Sequence, residues 1–139
     1  MLRGAPVAPD RCAVSDECEP AVDLESALRQ VGGNRRLLLE LVEVFVEDIP
    51  NRLRGLKEAS VTRDVRQLER LAHNVKGSAG ILGAAALRSA ALTLEDAARE
   101  RRLDSAPGLL TALERELDRV AAFFADPGWR TRLAQGAPP

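Results

Sequence analysis

Val65-Arg66-Gln67-Leu68-Glu69-Arg70-Leu71-Ala72-His73-Asn74-Val75-Lys76-Gly77-Ser78-Ala79-Gly80-Ile81-Leu82 is the stretch that decides the fold. Its apolar residues Val65, Leu68, Ala72, Val75, Ala79 and Leu82 recur at spacings of 3, 4, 3, 4 and 3. A helix turns about 100° per residue, so this alternation draws one stripe down one side of a helix. A mean period near 3.5 is the seam of helices packed at shallow angles.

The same pattern continues in both directions. Downstream, Leu87, Ala91, Leu94 and Ala98 mark a second helix. A further helix starts near Asp104 or Ser105, with Pro107 in its first turn, and carries Leu110, Leu113, Leu117, Val120 and Phe124. Upstream, a long helix begins near Asn34 with Leu38, Leu41, Phe45, Ile49, Leu53 and Leu56. Pro50 removes one backbone donor inside it and is expected to kink the helix rather than end it, because the stripe runs on. Before that, Asp23 caps a short helix carrying Leu24, Leu28 and Val31, which Gly32-Gly33 ends. No segment alternates with period two. The pattern predicts an all-α fold: an antiparallel four-helix bundle with a short extra N-terminal helix.

Prolines mark the edges. Pro6, Pro9 and Pro20 precede the pattern, Pro127, Pro138 and Pro139 follow it, and only Pro50 and Pro107 fall between. Residues 1–20 are therefore expected to be a flexible tail or linker, 21–126 the bundle, and 127–139 a C-terminal tail whose Trp129 can fold back onto the domain.

Composition narrows the function. The 139 residues suit one domain, and 45% are hydrophobic. Lys plus Arg is 20 against Asp plus Glu 21, a net charge of −1, which lacks the basic face of a nucleic-acid binder. Three Phe, one Trp and no Tyr leave little for stacking bases. The longest apolar runs, such as 120–125, fall far short of the ~18 residues that span a bilayer. The N-terminus has no apolar signal region, so the expected location is the cytoplasm, without membrane contact. Cys12 and Cys18, far from any His, read as free thiols rather than a zinc site. The chain has a single histidine, His73, which excludes a multi-histidine metal site.

The stripe also tells where His73 points. The apolar residues lie on the far side of the helix, while Glu69, Arg70, Lys76, Gly77 and Gly80 share the side of His73. His73 should therefore be exposed. A lone surface histidine usually does nothing special, but this one has unusual neighbours. Gly77 and Gly80 follow at one and two turns, and each mid-helix glycine costs about 1 kcal/mol relative to alanine. Bare surface beside an imidazole suits close approach by another protein. An imidazole of ordinary pKa, about 6.5, is mostly neutral at pH 7 and hence nucleophilic. Lys76 can set an ammonium beside whatever the ring binds. These features suit a histidine that takes a phosphoryl group.

His73-Asn74-Val75-Lys76-Gly77-Ser78-Ala79-Gly80-Ile81-Leu82-Gly83-Ala84 resembles the signature of histidine-containing phosphotransfer (HPt) domains: His, two residues, Lys-Gly-Ser/Ala, then an apolar-Gly-Ala step. The flank from Gly32-Gly33-Asn34 through Leu38 to Leu41, then Phe45, Asp48 and Pro50, is similar to the family's second helix. The resemblance covers about residues 21–126, with Val75 where Leu or Ala is commoner. It implies a phosphorelay intermediate that accepts a phosphoryl group on His73 from a receiver-domain phospho-aspartate and passes it to another receiver. It implies transfer through Nε2, a stabilising role for Lys76 and room for the receiver at Gly77; taken with the face around His73, the expected docking surface is Glu69, Arg70, Asn74, Gly77 and Gly80. The implied partners are receiver domains of response regulators or a hybrid sensor histidine kinase, met by a monomer. With one lysine and no convergent carboxylates expected here, no cofactor or metal is assigned to this chain, and the receiver supplies the acidic pocket and Mg²⁺.

Other readings fare worse. An autokinase needs an ATP-binding region for which the chain has no room, and Asn74 stands where such kinases place an acid. A Ser-His-Asp triad needs a buried carboxylate to orient the ring, which an open helix face does not offer. Arg99-Glu100-Arg101-Arg102 reads as a solvated helix end. A phosphotransfer domain of a chemotaxis-type kinase and a helical adaptor that never carries phosphate are the alternatives.

Overall fold

Asp23 opens the first helix, its carboxylate accepting the Ser26 amide at 3.1 Å. Asn34 and Asp64 open the next two in the same way, accepting the amides of Leu37 and Gln67. Each cap satisfies a donor that the first helical turn leaves unpaired. The computed structural model describes residues 20–135, and the Cys12, Cys18 and N-terminal tail expectations lie outside them. Among the described residues the helices are α1 (Leu24–Gln30), α2 (Arg35–Thr62), α3 (Val65–Ile81), α4 (Ala85–Arg99), α5 (Ala106–Ala125) and α6 (Gly128–Ala134). A 3-10 turn, Leu103–Ser105, leads into α5.

Helices α2 to α5 form the bundle. Each packs on its successor, and α5 closes the ring against α2. Short connections make the neighbours antiparallel. Helix α1 lies against α2 and α3. The α3–α4 turn is tied to α1 at Gly83, whose φ is +72°. The Gly83 carbonyl accepts the Asp23 amide at 2.8 Å, and any Cβ there would collide with the Asp23 carbonyl oxygen. Only glycine fits both requirements.

The expected core is largely observed. Leu68, Ala72, Val75, Ala79 and Leu82 of the central stripe are buried, as are Leu87, Ala91, Leu94 and Ala98 and the whole α5 stripe from Leu110 to Phe124. Pro50 sits exposed within an unbroken α2. In that long helix the stripe drifts: Leu41 and Leu53 are half-buried and Val42 is fully buried instead. A straight helix slips about 20° per heptad against a 3.5 repeat, and 28 residues are long enough to show it.

The C-terminal tail expected from residue 127 is corrected for its first part. Helix α6 folds back, burying Trp129 and Leu133 in the core. The Trp129 indole N–H donates to the Phe124 carbonyl at 3.0 Å, and its ring meets Phe124 edge-on at 5.0 Å. This large ring plugs the end of the bundle and satisfies a carbonyl at the C-terminus of α5. Among the described residues, no helix is long and apolar enough to cross a membrane.

The buried side of α3 and α4 is rich in alanine: Ala72 and Ala79 face a seam shared with Ala91 and Ala98, and none of the four is exposed. Small side chains let backbones approach closely, and this pair has the most extensive interface in the bundle. Ala72→Asp places an unpaired carboxylate in that seam at a cost of several kcal/mol, comparable with the stability of a domain this size. We expect loss of the cooperative thermal transition followed by circular dichroism; a variant melting within a few degrees of wild type contradicts the packing described.

Candidate functional site

The alanine seam brings one charged residue of α4 beneath α3. Glu95 is only 2% exposed, the one buried charged residue among those described. A carboxylate in such a place needs cations and donors. His73 Nδ1 lies 2.8 Å from Glu95 Oε2, and Arg99 Nη2 donates to the same oxygen at 3.1 Å. Lys76 Nζ lies 2.8 Å from Glu95 Oε1, close enough for an ion pair. That contact is poorly directed, for Oε1 has no hydrogen-bond partner of good geometry.

Burial pushes the Glu95 carboxyl up, but the Lys76 ammonium and the His73 imidazole outweigh it and hold the group below the ordinary glutamate value. Glu95 is thus a carboxylate at neutral pH, and a carboxylate can only accept. The hydrogen between it and His73 therefore sits on Nδ1. In the neutral ring this leaves the lone pair on Nε2, which faces outward: the His73 side chain is 62% exposed. The geometry fixes both the tautomer and the direction of the nucleophile.

The residues picked out in the sequence fall around this centre in different ways. Lys76 was expected to face solvent, yet its side chain is only 21% exposed and leans onto Glu95. The expectation of an open face without a buried carboxylate is likewise corrected, since Glu95 orients the ring from below. Carboxylates do converge here, but on a guanidinium: Arg99 bonds Glu69 through Nε, Asp96 through Nη1 and Glu95 through Nη2, at 3.0, 3.0 and 3.1 Å. Arg99 is therefore part of the site and not merely a solvated helix end. Its bond to Glu69 raises its affinity for the proton further.

Gly77 is exposed, and a Cβ built there meets nothing within 4 Å. Gly80 differs: the Arg88 side chain crosses it, 3.6 Å from where a Cβ would stand, so this surface is covered rather than bare. Arg70 is exposed and hydrogen-bonded to Gln67, and Glu69 is half-buried under Arg99. His73 stands on a ridge between two grooves. One, between α3 and α4, is lined by Arg66, Glu69, Arg70, His73, Glu95 and Arg99. The other lies towards α2, where Asn74, Leu71, Val75 and Ser78 face Asp48, Asn51 and Arg52.

Glu95 is the functional residue that reading the sequence missed. The signal was present: Glu95 follows Leu94 and stands four residues after Ala91 and three before Ala98. It therefore falls inside the buried arc of its helix, where an acid must have a partner.

No curated protein matches the chain. Among solved structures, histidine-containing phosphotransfer protein B (HptB) from Pseudomonas aeruginosa PAO1 is 30% identical, with a TM-score of 0.73, over 81% of this chain and 97% of that one. An HPT domain from a sensor hybrid histidine kinase of Shewanella shares the fold at 16% identity, with a TM-score of 0.68, over 85% of this chain and 97% of that one. The Hpt domain family model matches residues 40–123, which include α3, α4 and the whole His73–Glu95–Arg99 cluster. With the family model spanning more than half of the sequence, the chain belongs to the Hpt domain family.

Proposed function

We propose that this chain is a phosphorelay intermediate that accepts a phosphoryl group on His73 from the phospho-aspartate of a receiver domain and passes it to another receiver. The observation that carries this reading is the sole histidine held through Nδ1 by a buried carboxylate, with Nε2 turned to solvent. In the first step the Nε2 lone pair attacks phosphorus. The N–P bond forms as the P–O bond to the aspartyl group breaks, and the aspartate leaves with that electron pair. The Nδ1 proton stays on the ring, which becomes a phosphorylated imidazolium facing the negative charge of Glu95. Onward transfer returns the N–P electron pair to Nε2, and the cationic ring is a good leaving group.

Lys76, one turn from the ring, neutralises the arriving phosphoryl oxygens. Gly77 leaves room for the receiver, and Asn74 and Arg70 border the docking surface. The receiver contributes the acidic pocket and Mg²⁺, while this chain positions a nucleophile and carries the group. The partners on this reading are response regulators or a hybrid sensor kinase in the cytoplasm, met by a monomer.

Mixed with a receiver carrying a labelled phospho-aspartate, the wild-type chain should take up label and His73→Gln none. Lys76→Ala should take it up about tenfold more slowly with its helical content unchanged, the loss expected for one charge-assisted contact. Label on His73→Gln, or an unlabelled wild type, contradicts the reading.

The depressed pKa of Glu95 also makes a stability prediction. Its ion pairs contribute above the ordinary value of 4.5 and are lost as pH falls through the lower folded value. Urea unfolding should find wild type more stable than Glu95→Gln at pH 7, with the gap shrinking in acid below about pH 4.5. A gap that does not change with pH rules out a charged Glu95.

A further inference from the structure

Building on the reading of His73 as a phosphoryl carrier, we propose that Arg99 is a positioning residue that holds Glu95 in place when Lys76 leaves it for the phosphoryl group. Lys76 is paired with Glu95 Oε1 at 2.8 Å. To meet phosphoryl oxygens on Nε2, its ammonium has to swing outward, away from a carboxylate that is almost wholly buried. With no second cation beside it, a buried carboxylate so stripped would pull Lys76 back or draw the ring out of line.

The geometry supplies the substitute. Arg99 makes a directed hydrogen bond to Glu95 Oε2, the same oxygen that faces His73 Nδ1. The contact of Lys76, by comparison, is close but poorly directed. Arg99 is itself fixed, because Nε is bonded to Glu69 on α3 and Nη1 to Asp96 on α4. A planar guanidinium can serve three carboxylates at once, which an ammonium on a flexible stem does less well. Arg99 thus braces α3 against α4 at the level of the ring and keeps Glu95 paired throughout the cycle. Lys76 is then free to move. Arg99 never touches the transferred group.

The test is a double-mutant cycle between Arg99 and Lys76, read as the rate of phosphoryl uptake from two donors. One donor is a receiver phospho-aspartate. The other is phosphoramidate, whose P–N bond breaks with release of ammonia as the N–P bond to His73 forms. Arg99→Gln should slow uptake about fivefold to tenfold with both donors, because Lys76 remains pinned on Glu95. In a Lys76→Ala background the same change should have little further effect, and Arg99→Lys should recover part of the loss. A purely structural brace would lower thermal stability without this coupling.

The proposal is overturned if Arg99→Gln matches wild type, if the two losses multiply independently, or if only the receiver-dependent rate falls. In each of those cases a labelled wild type leaves the carrier reading intact. A wild type that takes phosphoryl from neither donor removes both.

Discussion

Glu95 is a carboxylate closed into an alanine-lined seam, and its demand for partners organises everything around it. Burying such a charge costs several kcal/mol unless donors and cations face it. The imidazole of His73, the ammonium of Lys76 and the guanidinium of Arg99 meet that demand from two helices. Because an ionised carboxylate accepts only, the His73 proton is placed on Nδ1 and the lone pair on Nε2. A histidine that could have been a mobile surface side chain becomes a nucleophile of defined direction.

The fold serves this arrangement in two ways. Alanines on both sides of the seam allow α3 and α4 to share their long interface, which brings Glu95 under the ring. Outside the seam the surface is left open at Gly77. The two grooves flanking His73 differ in chemistry: one is rich in arginine, the other mixes Asp48, Asn51 and Arg52 with apolar wall. The oriented ring thus stands between unlike surfaces.

Much of this was legible in the sequence, and the reasons are specific. Apolar spacing marked α2 to α5 and set His73 opposite the core, because helical phase is a local property. Asp23, Asn34 and the Gly32-Gly33 pair announced boundaries through caps whose chemistry is equally local. The burial of Glu95 is legible in the spacing of its own helix, but its partners, and the role of Arg99, depend on which helix lies opposite, and spacing within one helix does not reveal that. Lys76 misled for the same reason: its own helix places it near solvent, whereas the neighbouring helix offers it a buried anion. Trp129 was a partial exception, an aromatic too large to leave in water, and α6 carries it back onto the bundle end.

On the proposed reading, Glu95 keeps a proton on Nδ1 of His73 and leaves Nε2 to carry phosphate. A single histidine makes this directly measurable, since ¹⁵N-histidine labelling yields one ring and no overlap. Long-range ¹H–¹⁵N spectra of the neutral protein should show the proton on Nδ1 and a pyridine-like Nε2. After phosphorylation the ³¹P–¹⁵N coupling should appear on Nε2 alone. A neutral ring protonated at Nε2, or phosphorus bonded to Nδ1, would contradict the account.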